Sequence, residues 1–295
     1  MNYKKVLKQA VDLHVHIGPE IIPRKFNLQE LLDYEKGKLK GVGVKNHFFP
    51  IISTSGAKAK KLPIVINSVV LNRYIGGFNS KIIYALAEIS DRPIIVWFPT
   101  LHAEKFLKIQ KNEIPQEWIK PECKDKIKLR PVNKIKPLSV FNSKGSLSED
   151  VKKVLIAIKK CDAILATGHI SWQESKALVK FAVGKIGIKK IIITHPIYQK
   201  IDMPVDVQQE MAEMGAFIEQ CYSMYSIDKI TIAKIASQIK KIGAENCILS
   251  SDVGQAFSKS PSESLGDFTV LLEKEGITEQ EIKIMLIDNP NKLIR

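Results

Sequence analysis

Histidines that follow short apolar segments are the residues of this sequence best suited to metal chemistry. His14 and His16 stand two apart in VDLHVH. Alternate residues of a β-strand point to the same face, so both imidazoles can reach one ion. Imidazole is a common ligand of zinc and similar metals. His169 and His195 each end another apolar segment, in DAILATGH and KKIIITHP. The pattern predicts that these four side chains bind one or two divalent ions, zinc first, with manganese or iron as alternatives.

Asp252 ends the apolar segment NCILSSD and is the expected partner of the histidines. A carboxylate beside a metal-activated water can both bind the ion and accept the proton released as the water attacks. We therefore predict that Asp252 is a metal ligand and the general base. The alternative is a purely structural role, as a helix cap or turn residue in SSDVGQ.

Three further residues have roles that the sequence does not separate. Lys45 and His47 share a face in GVKNHFFP, and Glu219 lies in the apolar segment GAFIEQC. His47 and Glu219 are candidate ligands of a second metal, and Lys45 is a candidate catalytic or substrate-binding group. The alternatives are an ordered loop for the first pair and a buried, paired carboxylate for Glu219.

Four residues in predicted loops are candidates for contact with a substrate. Arg24 lies in GPEIIPRKF, Asn72 and Arg73 lie in LNRYIGGFN, and His102 follows FPT. Each can equally well anchor its own loop.

The elements that must position these residues alternate between β-strands and helices. Apolar, β-branched segments alternate with longer amphipathic ones, as is typical of βα units and a parallel sheet. The predicted strands cover 10–17, 40–47, 63–72, 92–100, 162–169, 189–196, 215–221 and 246–252. We predict an α/β fold, a (β/α)8 TIM-type barrel forming one domain over residues 1–295. The C-terminal strand ends of a barrel meet at one mouth, which would gather the histidines and Asp252.

Residues 101–147 are too long for an ordinary βα loop and contain KPEC and LRPVNKIKP, in which Pro and Lys interrupt any helical period. An insertion after the fourth predicted strand lies over the C-terminal face of a barrel. We expect it to cover the site or to shape substrate binding. A small hairpin remote from the chemistry is the alternative.

The charge and apolar content limit the classes of partner. The sequence has 45 Lys and Arg against 31 Asp and Glu, a net charge of +14, but the lysines are spread over nearly every predicted helix. No RNA-binding signature, membrane-length apolar segment or signal peptide is found. Four scattered cysteines are expected to be reduced thiols. We expect a cytoplasmic enzyme with a small-molecule substrate, an anionic one being favoured by the charge, and no nucleic-acid or membrane partner. A homo-oligomer is left open.

The motifs resemble those of the amidohydrolase superfamily. Its pattern is HxH on the first strand, a histidine ending the fifth and the sixth, and an aspartate ending the eighth. The matching residues here are His14, His16, His169, His195 and Asp252. The resemblance implies a (β/α)-barrel, one or two metals, commonly zinc, and hydrolysis of amide, ester or phosphoester bonds. The segments VDLHVHIGPE, VKNHFFP, VVLNRYIGGFN, VWFPT, ATGHIS, THP, SSDVGQ and DNPNKLI are similar to an uncharacterised family of cytosolic amidohydrolase-like proteins.

Two departures from the superfamily pattern affect the expected metal site. The fourth predicted strand, RPIIVWFPT, offers neither the Lys nor the Glu that often bridges two metals, which argues against a conventional bridged pair. His47 on the second strand instead resembles the PHP phosphoesterases, whose closing Asp-x-His is replaced here by Asp252-Val253-Gly254. We therefore expect a metal-dependent hydrolase acting on an amide, an ester or lactone, or a phosphoester. The alternatives are a PHP-like phosphoesterase and a non-catalytic barrel that binds a metal or ligand.

Overall fold

The computed structural model describes residues 3–53, 62–127 and 129–295, in which short parallel strands alternate with helices. The strands are β1 (Val11–His16), β2 (Gly41–Lys45), β3 (Ile64–Ile66), β4 (Ser68–Val70), β5 (Ile95–Trp97), β6 (Ile164–Ala166), β7 (Ile191–Ile193), β8 (Phe217–Cys221) and β9 (Cys247–Ser250). Each predicted strand is confirmed within shorter bounds. The third is divided at Asn67 into β3 and β4, and the Asn67 side chain is hydrogen-bonded to Ser53 and Ser90.

The strands form a barrel in which β3 and β4 together occupy one of eight positions. Hydrogen bonding gives the orders β1–β2–β3 and β4–β5–β6–β7–β8–β9, all parallel. The chain passes from β3 to β4 through Asn67, whose carbonyl oxygen accepts the N–H of Ile95 at 2.9 Å. At the other junction Val15 pairs with Val253, and the His16 N–H donates to the Val253 carbonyl at 2.8 Å. These contacts join the two hydrogen-bonded sheets at both of their junctions.

A change of register in β1 turns its two histidines into the barrel. Regular alternation from Leu13, which belongs to the apolar cluster of the interior, would also direct Val15 inward. Val15 instead packs in the outer layer against the helices, because the pairing of β1 with β2 shifts after Asp12. Such bulges re-aim side chains and are common beside active sites. His14 and His16 consequently face the interior at the mouth.

Helices cover the outside of the barrel. They are α1 (Tyr3–Leu7), α2 (Leu28–Glu35), α3 (Ser80–Ile89), α4 (Glu104–Lys108), α5 (Glu149–Lys160), α6 (Trp172–Phe181), α7 (Val205–Glu213), α8 (Tyr222–Ser226), α9 (Ile232–Ile242), α10 (Pro261–Lys274), α11 (Glu279–Lys283) and α12 (Asn289–Leu293). Four of these helices begin with capping boxes, which satisfy N–H groups of the first turn. Their N-cap residues are Asn27, Ser171, Ser260 and Thr278. The described residues between β2 and β3, 46–53 and 62–63, contain no helix.

The predicted insertion lies between β5 and α5 and consists of α4 and irregular turns. Its 3₁₀ turns are Gln116–Trp118, Pro121–Lys126 and Val132–Lys134, and residue 128 lies outside the described part. Ala103 pairs with Leu138, and Asn112 pairs with Pro131, which draws the segment together. No helix among the described residues is long and apolar enough to cross a membrane.

Candidate metal centre

Side chains from several strand ends surround a small cavity at the mouth of the barrel. Its volume is about 20 Å³ for a water-sized sphere, which is room for roughly one water molecule. Six predicted site residues line it: His16, Arg24, His47, His169, His195 and Asp252. The cavity lies at the barrel end where active sites form.

His14, His16 and Asp252 converge on one point. The Nε2 atoms of His14 and His16 lie 3.0 and 3.1 Å from the same oxygen, Oδ1 of Asp252. Potential ligand atoms of the three residues all lie within 4.8 Å of one another, and all three residues are buried. Two imidazole nitrogens and a carboxylate oxygen form a donor set that zinc and similar ions accept. These side chains therefore fit a divalent ion.

The carboxylate of Asp252 is oriented by two neighbouring elements. Its main-chain N–H donates to the His14 carbonyl at 2.9 Å, and the Ser223 hydroxyl donates to its Oδ2 at 2.6 Å. Burial alone would raise the pKa of Asp252, but His14 and His16 hold it well below its usual range. The carboxylate is therefore ionised at neutral pH. Its φ of +49° lies in the left-handed region, where strained residues often mark functional sites.

Glu219 on β8 faces the other nitrogen of the His14 ring. Both of its carboxylate oxygens lie 3.2 Å from His14 Nδ1, and the side chain is fully buried. A carboxylate that accepts the Nδ1 proton leaves Nε2 free for an ion. Burial lowers the pKa of His14, but Asp252 and Glu219 outweigh burial and raise it. Glu219 thus lies behind His14 and not on the cavity wall.

Lys45 on β2 is buried beside the same histidine. Its Nζ lies 2.9 Å from His14 Nε2 and 4.2 Å from the centroid of the Trp97 ring. Burial lowers the pKa of Lys45 to about 8, although Asp252 and Glu219 favour the charged form. Lys45 is therefore a buried cation in contact with His14 Nε2, so an ion bound to that nitrogen must displace the Lys45 ammonium group.

His169 and His195 line the same cavity, and each has one ring nitrogen without a partner. Both residues are buried, their ring centroids lie 5.1 Å apart, and Nδ1 of each has no hydrogen-bond partner. Burial lowers the pKa of both rings, that of His195 to about 4, so both are neutral at pH 7. A buried polar atom without a partner is costly. Neutral imidazoles with free nitrogens fit a metal site, although the two lie outside the tight group formed by His14, His16 and Asp252.

Arg24 also lines the cavity, with its side chain buried in an ion pair with Glu20. Its Nη2 lies 3.2 Å from His16 Nδ1, and its Nη1 has no partner. Guanidinium can only donate, so the His16 Nδ1 in this contact is an acceptor. An ion on His16 Nε2 requires the proton on Nδ1, so metal binding must open the contact with Arg24.

His47 lines the cavity between His16 and the insertion. Its Nδ1 lies 2.9 Å from Thr100 Oγ1, and its ring centroid lies 4.7 Å from that of His16. The ring of Trp118, from the insertion, stacks on His47 at 5.4 Å with an interplanar angle of 9°. His47 therefore contacts both the histidine cluster and the insertion.

Three residues predicted to contact substrate are not among those that line the cavity. Asn72 is fully buried and donates to the His47 carbonyl at 3.0 Å and to Thr100 Oγ1 at 2.8 Å. His102 Nδ1 accepts the Arg73 main-chain N–H at 3.0 Å, while the Arg73 guanidinium donates to carbonyl oxygens of residues 136 and 137. In this structure, all three anchor loops.

Several cavity residues were not anticipated from the sequence. Tyr198, Ser223 and Asp228 line the cavity from the segments that follow β7 and β8, and Trp118 reaches it from the insertion. The first two lie two to five residues beyond a strand end, so a wider window after each strand would have included them. Trp118 is 20 residues or more from any strand, and no local signal indicates its position.

Known proteins resemble this chain mainly in fold. A family model described as a family of unknown function (DUF6282) matches residues 9–219. No curated protein matches the sequence. An amidohydrolase from Pseudomonas aeruginosa is 11% identical, with a TM-score of 0.63 over 98% of this chain and 97% of its own.

Two other solved structures are similar over nearly the whole chain. The probable dipeptidase PvdM from Pseudomonas aeruginosa is 11% identical, with a TM-score of 0.61 over 99% of this chain and 96% of its own. The dihydroorotase (pyrC) from Campylobacter jejuni is 12% identical, with a TM-score of 0.55 over 97% of this chain and 82% of its own. These likenesses confirm the predicted barrel fold. Because the matched segment covers most of the chain, this protein belongs to the family of unknown function DUF6282.

Proposed function

We propose that this protein is a metal-dependent hydrolase with its active site at the barrel mouth. The observation that carries the proposal is the convergence of His14 Nε2 and His16 Nε2 on Asp252 Oδ1. The unpartnered Nδ1 atoms of His169 and His195 in the same cavity support it. Fold alone does not decide the reaction, but proteins named amidohydrolase, dipeptidase and dihydroorotase share this barrel.

The proposed ligands are His14, His16 and Asp252, with His169 and His195 completing the shell of this ion or holding a second. Zinc suits these donors best, and manganese or iron are the alternatives. A divalent ion held there would lower the pKa of a water molecule toward 7 and would polarise the carbonyl or phosphoryl group of a substrate.

The chain's own groups would act as follows. Asp252 is ionised and lines the cavity, so its carboxylate can accept the proton of the attacking water. Glu219 holds the proton of His14 on Nδ1, and Lys45 balances the buried charge of both carboxylates. Lys45 and Glu219 are therefore positioning residues, since both act through their contacts with His14.

The substrate is proposed to be a small molecule with an anionic group. Arg24 lines the cavity and keeps one donor nitrogen without a partner, which suits a carboxylate or phosphate. The cavity has room for about one water molecule, so it must widen to admit a substrate, and the proposal assigns this movement to the insertion, whose Trp118 lines the cavity. This gives the insertion the role of a cover.

Metal content measured on protein purified without chelators or a histidine tag tests the proposal. We expect one or two equivalents of zinc, manganese or iron, lost in the double variant His14→Ala/His16→Ala. The loaded protein is then assayed on amide, lactone and phosphoester panels, and activity on phosphoesters alone would identify a PHP-like enzyme.

The matched variants are Asp252→Asn and, as control, Asp267→Asn, an aspartate paired with exposed Lys259. Asp252→Asn should lower turnover at least about 100-fold, as expected for loss of an acid–base group, while Asp267→Asn retains activity. A protein that takes up no metal even after reconstitution would refute the proposal.

A further inference from the structure

The cavity contains a second carboxylate, Asp228, which lies just beyond α8. Building on the proposed hydrolase function, we propose that Asp228 donates the proton to the leaving group of the substrate. Asp228 and Asp252 line the same cavity, so the reacting bond can lie between one carboxylate that accepts a proton and another that supplies one.

The short helix α8 joins the two carboxylates through a single serine. Ser223 Oγ donates to Asp252 Oδ2 at 2.6 Å, and the Ser223 carbonyl accepts the main-chain N–H of Asp228 at 3.2 Å. The next residue, Lys229, has a φ of +62°, which ends the turn directly after Asp228. One turn of chain therefore holds Asp228 near Asp252 without direct contact.

Asp228 forms no ion pair among the described residues, although two lysines lie near it. Lys200 is paired with Glu117 at 2.6 Å, and the Nζ of Lys229 donates to the Ser226 carbonyl at 2.7 Å. The hydroxyl of Tyr198, on the same cavity wall, is buried without a partner. Asp228 and Tyr198 thus present polar groups that the protein itself does not satisfy.

The electrostatic surroundings shift the pKa values of Asp228 and Asp252 in opposite directions. Burial raises the pKa of Asp228 to about 7, with the charge of Asp252 adding to the effect, whereas the pKa of Asp252 is held low. The other charges that act on Asp228 are Lys200, Glu117 and Lys229. A pair of carboxylates whose pKa values are pushed apart is the arrangement expected of a base and an acid. Near neutral pH, Asp228 still carries a proton to give.

The proposed step balances as a hydrolysis. The oxygen of water forms a bond to the carbonyl carbon or phosphorus, and its proton passes to Asp252. The bond to the leaving nitrogen or oxygen breaks, and the proton of Asp228 passes to that atom. Asp228 ends ionised and Asp252 protonated, and exchange of one proton with solvent at each restores both.

A proton donor matters most when the leaving group is strongly basic. An alkylamine needs the proton before it can depart, whereas p-nitrophenolate departs as the anion. General acid catalysis typically contributes about 10²–10⁴-fold. Loss of Asp228 should therefore lower turnover of substrates with strongly basic leaving groups much more than turnover of substrates with weakly basic ones. Loss of a merely structural residue would lower both alike.

The test compares wild type, Asp228→Asn and the control Asp206→Asn, an exposed aspartate at the start of α7. Each metal-loaded protein is assayed on a p-nitrophenyl ester and an alkylamide of the same acid. Asp228→Asn should lower kcat for the amide at least about 100-fold, change ester turnover less than about 3-fold, and leave KM and metal content unchanged. It should also abolish the fall in amide turnover as pH rises through 7. Equal losses on both substrates would overturn the assignment.

A readout independent of activity is the carboxyl ¹³C NMR titration of protein labelled in aspartate. The resonance that disappears in Asp228→Asn identifies the group, and we expect it to titrate near pH 7. Titration below pH 5 would refute the assignment while leaving the hydrolase proposal intact. A wild type that binds no metal would refute the hydrolase proposal, and the proton-donor assignment with it.

Discussion

At the scale of single residues, the proposed metal site depends on hydrogen bonds that hold each proposed ligand from the side away from the ion. Glu219 holds His14, and Ser223 holds Asp252 through the oxygen that does not face the histidines. Such contacts orient a ligand before the ion arrives, and their loss typically weakens metal binding about 10–100-fold. We therefore predict that Glu219 and Ser223, which are not proposed as ligands themselves, control metal affinity.

Ser223→Ala tests this control directly. It removes the 2.6 Å hydrogen bond to Asp252 Oδ2, so the carboxylate is free to rotate away from the two histidines. We expect zinc affinity, measured by competition with a chromophoric chelator, to fall at least about 10-fold. The matched control is Ser264→Ala, since the Ser264 hydroxyl is buried but has no partner. Equal affinities in both variants would show that Ser223 does not position Asp252.

Glu113 gives a prediction for stability against pH. Burial alone would raise the pKa of Glu113, but hydrogen bonds from His102, Arg130 and Tyr74 lower it to about 2. Because the pKa is lower in the folded state than in the unfolded state, the ionised carboxylate stabilises the fold at pH values above the unfolded pKa of about 4.5. This stabilisation is lost as the pH falls toward 2. At neutral pH the contribution is about 3 kcal/mol.

Urea unfolding of wild type and Glu113→Gln at pH 7 and pH 4 measures this contribution. The difference in unfolding free energy between the two proteins should be largest at pH 7 and smaller at pH 4. The control Glu88→Gln changes an exposed residue of α3 and should show no such dependence. A difference that grows as pH falls would contradict the expected sign.

At the scale of elements, the bulged strand β1 and its neighbour β2 determine where the histidines point. A Cβ at Gly43 of β2 would lie 2.5 Å from the carbonyl oxygen of Leu13, just below the histidine pair. Only glycine allows this approach without movement of the backbone. The position of His14 therefore depends on a residue of another strand.

Gly43→Ala should displace β1 and damage stability and metal binding together. Forcing a methyl group against backbone costs about 1–3 kcal/mol in unfolding free energy, and a shifted His14 should lower zinc affinity. The control is Gly184→Ala, whose Cβ would have no neighbour within 4 Å. Chemical denaturation and zinc titration of both variants check the expectation. Full zinc affinity in Gly43→Ala would show that the bulge does not set the ligand geometry.

At the scale of the whole molecule, local patterns predicted most of the barrel and part of the site. Each strand is a short, mainly apolar segment that can be predicted from its own residues. The C-terminal ends of parallel strands meet at one mouth of a barrel. The convergence of His16, His169 and Asp252 could therefore be predicted from the sequence. The β1 bulge was not predicted, because it depends on contact with Gly43. Trp118 was not predicted either, because its place over the cavity is set by the folding of the whole insertion.

Because the proposed metal ligands come from strands far apart in sequence, ion binding should stabilise the entire barrel. An ion that binds only the folded state adds about 2.7 kcal/mol when its concentration is 100 times Kd. For a protein of this size, that should raise Tm by about 4 °C. Calorimetry of zinc-loaded and chelator-treated protein should show this shift in wild type and none in His14→Ala/His16→Ala. A shift of the same size in the variant would mean that the ion stabilises the protein from another site, and that the buried histidines and Asp252 serve the fold alone.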